Sequence, residues 1–238
     1  TLARKEKINP KYNEIRLVDA EKALADAKAS EERWIKGEPA GLVDGVPSTI
    51  KDLVDTKGWS TRRGSLTTSD NGTWENDAPL VARLRENGAV LLGKTTTPEF
   101  GWKGVTDSPL TGITRNPWNP EKTPGGSSGG AAAAAAACLG ALHHGSDGGG
   151  SIRMPSGYTG IYGLKPTFGR VPTWPASGFG TLSHQGPMTR TVSDAALMLT
   201  VMAQTDSRDW YALPASETNW CSYAVSYTHL TLPTTTLV

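Results

Sequence analysis

The sequence predicts an α/β fold, and three observations carry that prediction. First, a helix pattern runs straight into a strand pattern. Asp77 fits an N-cap, Pro79 falls in the first turn, Leu80, Val81 and Leu84 form one apolar face, and Gly88 suits the position after the last turn. Ala89-Val90-Leu91-Leu92-Gly93 follows, an apolar run with the length of a buried strand. Helix against strand in this order is the layering of α/β domains. Second, seven consecutive alanines, Ala131 to Ala137, predict a helix that packs closely, since no side chain exceeds a methyl. Third, 238 residues are enough to bury roughly 70% of the unfolded surface without disulfides.

The other elements follow in chain order. Leu17 to Lys36 is rich in Ala, Glu and Lys and predicts a surface helix. Asp19 caps it, and Ala20, Ala23, Leu24, Ala27 and Trp34 share one face. Gly37-Glu38-Pro39-Ala40-Gly41 breaks it. Val43 to Val54 reads as a strand region, and Gly58 to Trp74 as polar turns. Pro98 to Pro124 holds five prolines and little periodicity, so a long ordered loop is expected. Thr191 to Ala203 predicts a last helix, capped by Thr191 or Ser193. From about Ala215 the composition changes and turns threonine-rich.

Composition excludes several functions. Lys+Arg is 24 and Asp+Glu 23, a net charge of +1, so no broad basic field serves nucleic acid. Two cysteines, Cys138 and Cys221, make neither a disulfide framework nor a CxxC knuckle. No run approaches a membrane span, and Thr1-Leu2-Ala3-Arg4-Lys5 is not a signal peptide. A cytoplasmic location is expected. Glycine stands out: 27 residues, about 11% against an average near 7%. They crowd between Gly125 and Gly169.

That crowding has chemical uses. Glycine loops leave successive N–H groups free to meet one anion, as in a phosphate nest or an oxyanion hole. Neither loop fits GxxxxGK[ST] or GxGxxG, so a nucleotide cradle is disfavoured. Gly125-Gly126-Ser127-Ser128-Gly129 matches GxSxG, but a nucleophile elbow needs a strand before it. The lead-in from Asn116 to Pro124 holds three prolines, which suit no central strand. A third option uses both loops. Ser151 follows three glycines and lies beside free N–H groups. Its base would be a lysine kept neutral by burial. Lys51 ends the apolar stretch Val46 to Ile50, with Asp52 turned to the opposite face. Taken alone, Lys51 fits a solvated strand-end lysine better than a base.

The ordered set of motifs resembles the amidase signature family. The segments are Gly45 to Asp52, Gly125 to Gly130, Ser146 to Pro155, Gly160 to Val171 and Gly186 to Arg190. They span about Gly41 to Pro214, and the serines Ser127 and Ser151 stand 24 residues apart as in the family. The resemblance implies a three-layer α/β/α fold with a central mixed β-sheet, incomplete on its C-terminal side. It implies a Ser–cis-Ser–Lys triad of Ser151, Ser127 and Lys51, with Ser127 relaying the proton. Gly148, Gly149 and Gly150 would form the oxyanion hole together with Ser151. Gly101 and Ser127 would contact substrate, and Ser128, Asp147 and Arg153 would give structural support. No cofactor and no metal is implied. The implied partner is a small-molecule amide, with no direct nucleic-acid or membrane contact, and a homodimer is allowed.

Two features depart from the family pattern. Gly148 stands where a threonine is common, and His143-His144 is unusual and reads as structural. The resemblance implies amide hydrolysis through an acyl-enzyme. The glutaminase-type subunit of an aminoacyl-tRNA amidotransferase is the second reading. A third is an inactive fragment, since members of the family run to roughly twice this length. On that view residues 1–214 are a partial amidase domain. Residues 215–238 are a tail foreign to the family, non-native or disordered.

Overall fold

The computed structural model describes residues 1–224. The chain opens with helix α1 (Leu2–Tyr12), strand β1 (Ile15–Val18) and helix α2 (Ala20–Lys36). Strand β2 (Pro47–Lys51), helix α3 (Pro79–Glu86) and strand β3 (Val90–Thr95) follow. A small hairpin, β4 (Asp107–Ser108) and β5 (Gly112–Ile113), interrupts the long loop. Then come α4 (Gly129–Ala136), β6 (Leu142–Asp147), α5 (Arg153–Thr159), β7 (Tyr162–Gly163), β8 (His184–Thr189) and α6 (Val192–Met202).

Six strands form one mixed sheet in the order β1-β3-β2-β6-β8-β7. The middle is parallel: β2 pairs with β3 and with β6, Thr49 lying opposite both Gly93 and His143. The edges are antiparallel, with β1 on β3 and β8 between β6 and β7. Helices cover both faces. Leu80, Val81 and Leu84 of α3 and Met198, Leu199 and Met202 of α6 pack on Ile50, Leu91 and Leu142. On the other face Ala131 and Ala132 of α4 meet Ile152 and Met188. This is a three-layer α/β/α arrangement about a mixed sheet. Coverage on both faces explains why β3 is buried at every residue instead of alternating.

Several elements match their sequence pattern. Asp19 caps α2 by accepting the Lys22 N–H, and Thr191 caps α6 by accepting that of Asp194. The α4 helix starts two residues before the alanine run, and Gly129 to Ala135 are all buried. Others differ. The strand expected over Val43 to Val54 is only Pro47–Lys51. Of the proposed α2 face only Ala23 is buried, while Leu24 and Trp34 remain exposed. Ala78, not Asp77, occupies the N-cap of α3. Asp77 instead accepts from the Lys57 N–H and the Arg85 Nε. Of the tail expected from residue 215, Trp220–Tyr223 forms a 3-10 turn against α6, with Ala224 buried. Residues 225–238 lie outside the described residues.

One buried group sets a pH dependence. Glu14 is fully buried and neither carboxyl oxygen has a hydrogen-bond partner among the described residues. Burial raises its pKa to about 7, against the opposing pull of its own backbone and of Lys5. A carboxyl with a raised folded pKa stabilises the fold when protonated. That contribution is complete below the unfolded pKa near 4.5 and is lost as pH climbs to about 7. Glu14→Gln removes the titration. Urea midpoints at pH 5 and pH 8 should show the variant gaining up to about 3 kcal/mol on the parent at the higher pH.

Candidate active site

Strand β2 carries Lys51 to the middle of the sheet, facing α4, while its neighbour Ile50 faces α3 and α6. The amine is completely buried. Lys51 Nζ donates to Ser127 Oγ at 2.8 Å, Ser128 Oγ at 2.7 Å and Ser146 Oγ at 2.9 Å. All three acceptors are neutral. Burial therefore lowers the lysine pKa to about 7, and the negative Asp147 nearby only partly restores it. The solvated lysine that its local sequence favours is not what forms, because α4 and β6 close over the strand end. Asp52 does turn away, to Arg16 at 2.8 Å.

Ser127 and Ser128 sit where the glycine loop enters α4. The Gly126–Ser127 peptide is cis. A side chain at Gly126 would drive a Cβ to 2.7 Å from the Val105 backbone, so the loop needs glycine there. Two threonines fix the loop: Thr97 Oγ1 donates to the Ser127 carbonyl at 3.0 Å, and Thr106 Oγ1 to that of Gly125 at 2.8 Å. The Ser128 N–H donates to the Ser151 carbonyl at 3.2 Å, which joins the two glycine loops.

The second loop is organised by Asp147. Its buried carboxylate accepts from the N–H groups of Gly150 (2.7 Å), Ile152 (3.1 Å) and Arg153 (3.3 Å). The Arg153 guanidinium adds two bonds at 3.0 Å. Burial opposes the charge, but these donors outweigh it and hold the carboxyl at about 2. The Gly150 N–H is thereby occupied. This corrects the expectation that Gly148, Gly149 and Gly150 all offer donors to an oxyanion. Among the described residues no acceptor meets the N–H of Gly148, Gly149 or Ser151. Asp147→Asn would leave one oxygen for five donors and turn an amide NH₂ on some of them. An unfolding midpoint lower by about 2–4 kcal/mol is expected. The carboxylate's own contribution is present above pH 3.8 and falls away as pH drops towards 2.

One cleft of about 340 Å³ unites these groups. Gly101, Ser127, Ser146, Gly148, Gly149 and Ser151 all line it. Gly101 has φ +73°, and a Cβ there would meet Leu53 Cδ1 at 2.8 Å. Among the described residues no hydrogen bond joins Ser127 Oγ to Ser151 Oγ, a common state of substrate-free sites, whose catalytic contacts tighten on binding. Ser146 has no role legible from sequence, although it lies inside the Ser146 to Pro155 motif. A second buried lysine, Lys94, donates to the carbonyl of Val54, which lines the cleft, at 2.6 Å and to Thr61 Oγ1 at 2.5 Å. His143 and His144 are buried in β6. His144 Nδ1 accepts the Lys51 N–H at 3.4 Å, and Nε2 faces Gln185 Oε1 at 2.9 Å. Burial pushes its pKa down to about 3, so the ring is neutral and steadies the lysine backbone. Among the described residues no group of three His, Cys, Asp or Glu side chains could hold a metal, and no helix is long and apolar enough to cross a membrane.

The family model for Amidase matches residues 1–226. The chain belongs to the amidase family. It is 42% identical to an indoleacetamide hydrolase of Bradyrhizobium diazoefficiens, over 90% of this chain and 42% of that protein. It is 46% identical to a subunit of the glutamyl-tRNA(Gln) amidotransferase of Methylococcus capsulatus, over 87% of this chain and 43% of that protein. Among solved structures, a bacterial aryl acylamidase of the amidase signature family superposes with a TM-score of 0.83 at 35% identity. That match covers 90% of this chain and 45% of the acylamidase. The chain thus spans less than half the length of these amidase relatives.

Proposed function

We propose that the protein hydrolyses the C–N bond of small carboxylic amides with Ser151 as nucleophile. The observation that carries this is a fully buried lysine amine held by three serine hydroxyls, two of which, those of Ser127 and Ser146, line the same cleft as a serine among unoccupied N–H groups. Lys51, about half unprotonated at pH 7, has in that form two N–H groups for Ser128 and Ser146 and a lone pair for Ser127, whose proton it takes as Ser127 takes that of Ser151. Ser151 Oγ bonds to the carbonyl carbon. The oxyanion is received by the N–H groups of Gly148, Gly149 and Ser151. The C–N bond then breaks and the relay returns the proton to the leaving ammonia or amine. Water attacks the resulting ester by the same relay and releases the carboxylate. The test is ammonia release from simple primary amides by the full protein. Turnover that survives Ser151→Ala unchanged would sink the proposal.

The glutaminase-type component of an aminoacyl-tRNA amidotransferase is the second reading, favoured by the similarity to the Methylococcus capsulatus protein. Co-purification of the other amidotransferase components with the native protein would select it. The inactive-fragment reading is favoured by the share of its relatives that the chain spans. A cooperative melt together with amide turnover by residues 1–238 alone would refute it.

A further inference from the structure

The cleft carries an aromatic wall that amide chemistry itself does not use. Phe100, Trp102, Trp174 and Phe179 all line it. Trp102 is 76% exposed, and its ring centroid lies 5.1 Å from that of Phe179, with the planes at 60°. Two contacts tie this pair to the reacting groups. Trp102 follows Gly101, where a Cβ would sit 3.3 Å from Ser127 Oγ. Phe179 lies over Gly148, where a Cβ would sit 3.8 Å from the ring Cγ. A bare Cβ fits there, but a branched side chain would reach into the ring. Gly148 thus leaves the phenyl group room beside a free N–H.

The charges on the wall are already matched. Arg63 meets Asp55 at 3.4 Å, and Asp147 is held by Arg153. Nothing there demands a charged substrate. A large exposed aromatic face gains most by covering a flat apolar group, and ring pairs favour tilted or offset contact at about 4.5–7 Å.

Resting on the proposed amide hydrolysis, we infer that the preferred substrates are neutral amides with an aromatic ring close to the scissile bond, seated on Trp102 and Phe179. Binding to the Ser151→Ala protein tests this without turnover. Phenylacetamide places the ring on the acyl side and acetanilide on the amine side. At least one should bind about tenfold or more tighter than propionamide. Cyclohexylacetamide should fall behind the better aryl ligand. Trp102→Ala and Phe179→Ala, each added separately, should cut the aryl-over-alkyl ratio about five- to tenfold. Trp102 is exposed, so its variant keeps the fold. Equal binding of aryl and alkyl amides, or a ratio unmoved by both variants, would overturn the inference. Hydrolysis of propionamide by the parent protein without aryl advantage would leave the amidase reading standing. Tight aryl binding with no hydrolysis of any amide would do the reverse.

Discussion

Ser151→Ala is expected to lower amide turnover by about 10⁴- to 10⁶-fold while leaving the fold intact. The drop is large because the proposed route runs through a covalent ester on this oxygen. The fold survives because Ser151 contributes to structure by its backbone: its carbonyl accepts the Ser128 N–H at 3.2 Å, and alanine keeps that bond. Its hydroxyl has no hydrogen-bond partner among the described residues. Stability should therefore shift by no more than about 0.5 kcal/mol. Ammonia release with a urea melt on the same preparations separates the two effects. A variant that loses both would mean that the serine is structural. A fluorophosphonate that labels the parent but not the variant would show which oxygen is nucleophilic.

Lys51→Met should cost about 10² to 10⁴ in kcat/KM. Methionine matches the lysine's length but neither accepts nor returns a proton. The parent's pH profile carries the same information. A base with a pKa near 7 is active when unprotonated, so kcat/KM should rise through pH 7 and level off above it. The stability consequence has a definite sign. The folded state holds the amine at about 7 and the unfolded state near 10.5, so between those values the unfolded chain binds more protons. Parental stability therefore rises with pH across that window. The methionine variant keeps the slope that the equally buried Lys94 contributes but loses that of Lys51, so denaturant midpoints at pH 7 and pH 10 should show a shallower rise than in the parent. A flat parental profile would remove neutral Lys51 from the mechanism.

Part of the fold is legible in local pattern. Helix α3 and strand β3 carry apolar spacing, the alanine helix carries its composition, and α6 carries both spacing and the Thr191 cap; these decide their state without help from the rest of the chain. Strands β6 and β8 do not. Leu142-His143-His144-Gly145-Ser146-Asp147 shows no apolar alternation, since its histidines answer polar partners on neighbouring strands. His184-Gln185-Gly186-Pro187-Met188-Thr189 contains a proline, which argues against a strand. Helix α1 has no buried residue and so no apolar stripe to announce it.

The site divides in the same way. Ser127 and Ser151 stand in motifs whose order is informative. Lys51 falls at a strand end, as its local sequence suggests, but its burial comes from elements far along the chain, which no local window contains. The occupied Gly150 N–H escapes a motif-based reading because its fate hangs on which way one aspartate side chain turns. The burial of Glu14, a charged residue at the turn between α1 and β1, leaves no trace in its local sequence.

The central pairing of β2 with β6 joins Thr49 to His143, residues 94 positions apart. Closing so long a loop is slow, and parallel pairing has no hairpin to start it. Until that closure, Lys51 is an ordinary charged amine in water. Afterwards it is buried, enclosed by serines, and its pKa is lowered to about 7. The same pairing thus completes the sheet centre and the proton acceptor, so a chain without the β2–β6 seam would lack the buried base.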